Sequence, residues 1–283
     1  MTEEARKDER LRVAPPPEKI PAVPANARKP LIKNPNLRKG IFIVPSLITS
    51  AAFFCGFYAI AASINGHYYT AAWVIILAMF FDGIDGRVAR ATGSTTNFGL
   101  QFDSLSDLIA FGAAPAILMY NWVLQPFGRL GWMAAFLFAL CGALRLARFN
   151  VQGDETPKDS FTGLPIPPAA GLLATTVLLT RGALEVDKAP AVVIMVTIYI
   201  LALLMVSSIP YHNFKHLDLS RRKPFHIFLG VVLIVFIVAQ FPHYLLFAMA
   251  AVYALHGPAQ WLWANKDADW AEKARSVFSR NKP

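Results

Sequence analysis

Residues 81–107 have the sequence FDGIDGRVARATGSTTNFGLQFDSLSD, which holds four aspartates in two pairs, Asp82 with Asp85 and Asp103 with Asp107. Strongly apolar segments flank this stretch, AAWVIILAMFF before it and LIAFGAAPAILMY after it. Placing one charged carboxylate at the centre of a bilayer costs about 2.5–3.5 kcal/mol, and four close together would also repel one another. The stretch therefore predicts a metal site in a membrane protein.

The spacing of the aspartates predicts a helical hairpin. Residues three or four apart share a helix face, so each pair points in one direction from its own helix. The link ATGSTTN (residues 91–97) is polar and contains residues that favour a turn and a helix cap. We expect the four carboxylates to face one another. Their oxygens suit hard divalent ions such as Mg²⁺, Mn²⁺ or Ca²⁺, and four carboxylates favour two ions.

The composition indicates a polytopic membrane protein. Of the 283 residues, 55% are hydrophobic and 16% are charged, whereas an ordinary soluble domain carries about 25% charged residues. Apolar windows of about 20 residues recur along the chain, which is typical of membrane-spanning helices. The predicted fold class is an all-α bundle of about eight transmembrane helices, at residues 43–63, 70–90, 99–123, 130–149, 165–181, 190–209, 225–240 and 242–262.

The distribution of basic residues predicts the orientation. With both termini in the cytoplasm, 24 of the 27 Lys and Arg residues fall on the cytoplasmic side, as the positive-inside rule requires. The net charge of +9 is thereby explained without nucleic acid as a partner. The same orientation puts all four aspartates at the cytoplasmic face.

The chain is predicted to have three parts. Residues 1–40 are polar, proline-rich and basic, which is typical of a disordered cytoplasmic tail that ends in an interfacial segment. The opening residues contain no apolar run, so we expect no cleavable signal peptide. Residues 41–263 form the transmembrane domain, and residues 264–283 form an amphipathic cytoplasmic tail.

Eight residues at fixed spacing resemble the signature of the CDP-alcohol phosphotransferase family. The resemblance implies six to eight helices, commonly in a homodimer. It also implies that a CDP-linked donor gives its phosphoryl-containing group to an alcohol while CMP leaves. The matching residues are Asp82, Asp85, Gly86, Ala89, Arg90, Gly99, Asp103 and Asp107.

The resemblance also implies roles for these residues. Asp82, Asp85 and Asp103 would be metal ligands, and Asp107 would be the general base, close to a second metal ion. The region of Gly86, Ala89 and Gly99 would receive the cytidine, with Arg90 supporting the site or its phosphates. In the opening span, Thr49 is expected to reach the nucleotide.

Three further stretches resemble the branch of the family that uses L-serine as the acceptor and CDP-diacylglycerol as the donor. They are SDLIAFGAAPA (106–116), GALRLARFNV (142–151) and FTGLPIPPAAG (161–171). Within the second stretch, Arg145, Arg148 and Asn150 are candidates for binding the acceptor's carboxylate or a lipid phosphate, because arginine binds such groups in a bidentate manner. The alternative is that both arginines anchor the helix at the headgroups.

The leading hypothesis is therefore an enzyme of the bacterial inner membrane that transfers a phosphatidyl group to serine. Another acceptor, such as glycerol 3-phosphate, an inositol phosphate or choline, is the first alternative. A cation transporter that uses the aspartates as an ion path is the second, because acids within a membrane often serve ion transport.

Overall fold

A computed structural model of the chain describes residues 43–94, 96–152, 160–184, 190–212 and 240–280, and every structural statement below refers to these ranges. By its internal contacts the chain divides into a unit of residues 1–33 and a unit of residues 34–283. All the described residues belong to the second unit. The predicted tail of residues 1–40 and the predicted seventh span lie outside them, except for residue 240.

Seven helices make up most of the described chain. Helix α3 changes character along its length: it is α-helical over Asn97–Asp107 and forms π-helical turns over Leu108–Ala113 and Tyr120–Leu124. A π-helical turn, Leu179–Ala183, also extends α5. The helices are α1 (Ile43–Ile64), α2 (Tyr68–Thr92), α3 (Asn97–Phe127), α4 (Arg129–Gln152), α5 (Ile166–Leu178), α6 (Ala191–Val206) and α7 (Pro242–Arg280).

Three of the described helices are long and apolar enough to cross a membrane, and they lie at Val44–Ile64, Asn97–Phe127 and Arg129–Val151. Helix α6 is a shorter apolar helix. The predicted second, fifth, sixth and eighth spans coincide with α2, α5, α6 and the first half of α7. The predicted all-α class is confirmed, whereas the count of eight spans and the orientation of the termini stay predictions.

Small residues bring the helices of the bundle close together. The buried core between α1, α2 and α3 contains many alanines, among them Ala59, Ala71 and Ala110, all fully buried. At Gly56 a Cβ atom would lie only 2.6 Å from the Cα of Ala110. Close backbone approach at small residues is a common basis of helix association in membranes, and it holds α1 against α3 here.

Two three-residue strands add to the predicted all-helical fold. Strand β1 (Ser160–Thr162) pairs antiparallel with β2 (Pro210–His212), with Phe161 opposite Tyr211. Hydropathy could not predict them, because each is a short connection beside a helix. Gly163 follows β1 with a φ of 83°, and its N–H donates to the carbonyl of Ile209 at 2.9 Å. The strands thus tie the segment before α5 to the segment after α6.

Candidate active site

The four aspartates meet where α2 ends and α3 begins. One carboxylate oxygen from each of Asp82, Asp85 and Asp103 lies within 4.8 Å of the other two. Asp107, one turn further along α3 than Asp103, interacts electrostatically with Asp82, Asp85 and Asp103. The predicted hairpin with facing carboxylates is therefore confirmed.

Local sequence explains the turn of this hairpin. Helix α2 ends at Gly93, whose φ of 63° is in the left-handed region that favours glycine. The N–H of Ser94 then donates to the carbonyl of Ala89 at 3.0 Å. Thr96 caps α3, because its side-chain oxygen accepts a hydrogen bond from the N–H of Gly99 at 2.9 Å. The polar link thus ends one helix and starts the next within a few residues.

Negative charge dominates the cluster. The side chain of Asp85 is only 4% exposed, and those of Asp82, Asp103 and Asp107 are partly buried. Two cations interact with the carboxylates, Arg90 with Asp85 and Arg145 with Asp107.

Two guanidinium groups cannot balance four neighbouring carboxylates, and like charges in a poorly solvated place repel strongly. A set of donors made of carboxylate oxygens alone fits a hard divalent cation. Asp82, Asp85 and Asp103 could therefore hold a metal ion, with Asp107 beside them.

Helix α1 supports the cluster from a third side. The hydroxyl of Thr49, 5% exposed, donates to Oδ2 of Asp85 at 2.9 Å. The hydroxyl of Ser106 on α3 donates in turn to the backbone carbonyl of Thr49 at 3.2 Å. These buried hydrogen bonds connect α1, α2 and α3 at the level of the carboxylates and fix one oxygen of Asp85.

A pocket of about 160 Å³ opens beside Asp85 and Asp103. All five residues that the sequence suggested for the nucleotide line it, and Arg90 is the only cation among its described lining residues. The lining consists of Pro45, Ser46, Thr49, Asp85, Gly86, Ala89, Arg90, Ser94, Thr96, Gly99, Leu100 and Asp103.

Two glycines leave helix backbone open to this pocket. At Gly86 a Cβ atom would approach the guanidinium of Arg90 to 3.4 Å, and at Gly99 it would approach the hydroxyl of Thr96 to 3.1 Å. A side chain at either position would therefore fill space next to the polar groups of the pocket. By contrast, Gly112 and Gly142 pack against Ile166.

The three acceptor candidates on α4 occupy different environments. Arg145 interacts with Asp107 and so belongs to the carboxylate cluster. Arg148 donates from Nη1 to the carbonyl of Val206 at 3.1 Å, at the end of α6. Asn150 donates from Nδ2 to the hydroxyl of Ser104 at 3.0 Å. The structure thus brings Arg145 to the aspartates, whereas Arg148 and Asn150 connect α4 to its neighbours.

Several residues of the site were not predicted. Pro45, Ser46 and Leu100 line the pocket beside the expected residues. Ser94 and Thr96 line it as well, and the polar turn that contains them was a usable signal. Tyr253 on α7 interacts with Arg145. No local pattern could have found it, because Tyr253 lies more than 100 residues from Arg145 in sequence and its surroundings are apolar.

Known proteins are similar to most of this chain. The sequence model of the CDP-alcohol phosphatidyltransferase family matches residues 42–208. A Helicobacter pylori protein named CDP-diacylglycerol–serine O-phosphatidyltransferase is 34% identical over 242 residues, 86% of this chain and 97% of the relative.

Two archaeal relatives are similar to a shorter part of the chain. A Methanocaldococcus jannaschii protein of the same name is 37% identical over 187 residues, which are 65% of this chain and 80% of that protein. A Methanothermobacter thermautotrophicus protein named archaetidylserine synthase is 40% identical over 170 residues, 59% of this chain and 69% of that protein.

The fold and the site thus define a helical membrane enzyme with a cluster of four aspartates beside a polar pocket. The chain belongs to the CDP-alcohol phosphatidyltransferase family. It is accordingly a transferase and an integral membrane protein.

Proposed function

We propose that this enzyme transfers a phosphatidyl group from CDP-diacylglycerol to the hydroxyl of L-serine, giving phosphatidylserine and CMP in phospholipid biosynthesis. The observation that carries the proposal is the carboxylate cluster beside the pocket lined by Thr49, Gly86, Ala89, Arg90 and Gly99. The names of the relatives support serine as the acceptor. Two relatives are named as serine O-phosphatidyltransferases, and the third is named as a synthase of archaetidylserine.

The four aspartates would have two roles, metal binding and general base catalysis. Asp82, Asp85, Asp103 and Asp107 would hold two divalent ions, Mg²⁺ or Mn²⁺, with Ca²⁺ as a further candidate. When bound, such ions neutralise the pyrophosphate and stabilise the charge of the departing CMP. We assign Asp107 as the general base, because it lies beside Arg145, a candidate for binding the acceptor.

The transfer step exchanges the phosphoanhydride bond of the donor for a phosphoester bond to serine. The serine hydroxyl gives its proton to Asp107 while its oxygen attacks the phosphorus that carries diacylglycerol. A new bond forms between this phosphorus and the serine oxygen. The bond between the phosphorus and the CMP oxygen breaks, and CMP leaves with the bonding electrons.

The pocket is suited to the nucleotide end of the donor. Gly86, Ala89 and Gly99 leave helix backbone open for a flat ring, and Arg90 adds a positive charge for a phosphate. Thr49 faces the same pocket while it holds Asp85. This arrangement supports a cytidine near the turn of the hairpin with the pyrophosphate toward the aspartates.

Arg145 is the best candidate for the serine carboxylate. It lies next to the proposed base, and arginine suits carboxylates because its planar group donates two parallel hydrogen bonds. Arg148 and Asn150 shape the same end of α4 through Val206 and Ser104, and the guanidinium of Arg148 keeps further donors for a lipid phosphate.

A phosphorylated acceptor is the main alternative within the family. Glycerol 3-phosphate or an inositol phosphate would need more positive charge than Arg145 supplies beside Asp107. Choline carries no anionic group for Arg145 to bind. These contrasts favour serine.

The surrounding architecture is part of the proposal. We infer eight membrane-spanning helices with both termini in the cytoplasm, a homodimer in the bacterial inner membrane, and an active site at the cytoplasmic face. The distribution of Lys and Arg supports this orientation. The flanking segments 1–40 and 264–283 would then contact lipid headgroups on the cytoplasmic side.

The test is CMP release by the purified protein in detergent with CDP-diacylglycerol and Mn²⁺ or Mg²⁺. We expect release that depends on L-serine and exceeds release with glycerol 3-phosphate, inositol phosphate or choline at equal concentration. Greater CMP release with one of these alcohols would show that this alcohol, and not serine, is the acceptor, and the assignment to the family would stand.

A cation transporter would instead use acids spread through the depth of the membrane. Between residues 43 and 263, the described ranges contain acidic residues only in the single cluster. No metal-dependent CMP release with any alcohol, from folded protein, would reject the enzyme and leave the transporter as the remaining hypothesis.

A further inference from the structure

Tyr253 brings helix α7 to the active site, although the family match ends at residue 208. Its phenol interacts electrostatically with the guanidinium of Arg145, which also interacts with Asp107. Tyr253 also lines a second cavity, of about 520 Å³, together with Met79. Because Met79 lies one turn before Asp82 on α2, this shared cavity lies near the level of the carboxylate cluster.

Tyr253 is held in place by a second tyrosine. Its ring stacks on that of Tyr211, with centroids 6.0 Å apart and planes inclined by 28°. Tyr211 is 1% exposed, and its hydroxyl donates to the carbonyl of Ala254 at 3.2 Å. Burial, followed by the neighbouring Tyr253, raises the pKa of Tyr211 to about 12, so this hydroxyl stays protonated and keeps donating.

Helix α7 also packs closely against Tyr211. A Cβ atom at Gly257 would overlap the ring of Tyr211, so only glycine allows this approach. Strand β2, which carries Tyr211, pairs with β1. The position of Tyr253 is therefore set by a buried contact between α7 and the strand pair.

The guanidinium of Arg145 requires a further interaction to fix its direction. Its Nε atom is buried and has no hydrogen-bond partner among the described residues. An arginine side chain has several rotatable bonds, so a single contact at Asp107 leaves the direction of its guanidinium free. The phenol of Tyr253 interacts electrostatically with the guanidinium from another helix, and this second interaction restricts its direction further.

We propose that Tyr253 is a positioning residue that keeps the guanidinium of Arg145 directed toward the place beside Asp107 where the acceptor's carboxylate binds. The inference rests on the proposed function, because it assigns to the serine subsite a residue from a helix beyond the matched domain. Tyr253 acts through Arg145 and takes no part in proton transfer.

The test is the Tyr253→Phe variant, which removes the hydroxyl and keeps the ring stacked on Tyr211. We expect the KM for L-serine to rise about tenfold, which corresponds to about 1.4 kcal/mol of lost binding, because the guanidinium loses the neighbouring hydroxyl that directs it. The KM for CDP-diacylglycerol and kcat should change less than about twofold. The control is Tyr244→Phe on the same helix, whose side chain is 48% exposed, and it should leave all three constants unchanged.

A double-variant measurement separates positioning from a structural effect. In an Arg145→Lys background, Tyr253→Phe should raise the KM for serine by less than about twofold, because the group that Tyr253 orients is already gone. A Tyr211→Phe variant should lower the Tm without a selective rise in the KM for serine, because it breaks the bond to Ala254.

The outcomes distinguish this inference from the proposed function. If the unaltered protein releases no CMP in response to serine, the proposed function fails. If it does so and Tyr253→Phe leaves the KM for serine unchanged, the positioning role of Tyr253 is wrong and the function stands. Equal losses for both substrates, or additive effects with Arg145→Lys, would also overturn the positioning role.

Discussion

The hydroxyl of Thr49 donates a hydrogen bond of 2.9 Å to Oδ2 of Asp85, and this bond joins α1 to the aspartate cluster of α2 and α3. Asp85 is the most buried of the four aspartates. A group that orients a metal-binding carboxylate in this way belongs to the site as much as the carboxylate does.

Thr49→Val should therefore weaken metal binding. The change removes the donor and leaves an oxygen of Asp85 free to rotate, and losing such a partner commonly lowers metal affinity by about 10–100-fold. We expect the Mn²⁺ concentration for half-maximal CMP release to rise by about tenfold, and Thr49→Ser to restore it. Ser50→Ala, which affects an exposed hydroxyl on the same helix, should have no effect. An unchanged metal requirement in Thr49→Val would contradict this role.

Divalent metal should stabilise the folded protein. The four carboxylates repel one another, and a ligand that binds only the folded state at 100 times its Kd adds about 2.7 kcal/mol to the free energy of unfolding. We expect Mn²⁺ to raise the Tm of the detergent-solubilised protein. Asp103→Asn should raise the Tm without metal, because it removes one of the like charges, and should reduce the shift with Mn²⁺. The same shift in Asp103→Asn as in the unaltered protein would argue against metal binding at this cluster.

Gly56→Ala should destabilise the bundle. The new methyl group would lie 2.6 Å from the Cα of Ala110, so α1 and α3 would have to move apart. Overpacking of this kind costs about 1–3 kcal/mol, which a lower Tm would report. Gly83→Ala is the matched control, because its Cβ would meet no atom within 4 Å. If both variants lowered the Tm equally, close packing at Gly56 would not be the cause.

Arg145 and Arg148 should respond differently to substitution. Arg145→Lys removes the forked guanidinium beside Asp107, and we expect the KM for L-serine to rise about tenfold or more. Arg148→Lys should mainly lower the Tm, because Arg148 donates to the carbonyl of Val206 at the end of α6. The comparison requires the KM for L-serine and the Tm of both variants. A larger rise in KM for Arg148→Lys than for Arg145→Lys would reverse this assignment.

The sequence predicted the aspartate hairpin because the whole signal is local. Helical periodicity puts Asp82 beside Asp85, and Gly93 and Thr96 mark the end of one helix and the cap of the next. The pocket residues Gly86, Ala89, Arg90 and Gly99 followed from a resemblance with fixed spacing. These residues can be located from sequence because their neighbours in space are near them in the chain, whereas Thr49, 36 residues from Asp85, was suggested only by the resemblance of the opening span.

Local sequence signals could not predict contacts between segments that are far apart in the chain. The sequence made Arg145 and Arg148 equal candidates for binding the acceptor, yet Arg148 donates to the end of α6 and Arg145 interacts with Asp107. The packing of α7 against Tyr211, which brings Tyr253 to Arg145, depends on tertiary structure. An apolar helix gives no indication in its sequence of which polar residue reaches a site.

The most direct test of the central claim is the amount of phosphatidylserine and CMP formed from CDP-diacylglycerol and L-serine with Mn²⁺. We expect equal amounts of the two products from the unaltered protein. Asp107→Asn should form neither at a measurable rate, while Asp187→Asn, in a predicted loop between spans, should remain active. CMP formed without phosphatidylserine, or full activity in Asp107→Asn, would contradict transfer to serine with Asp107 as the base.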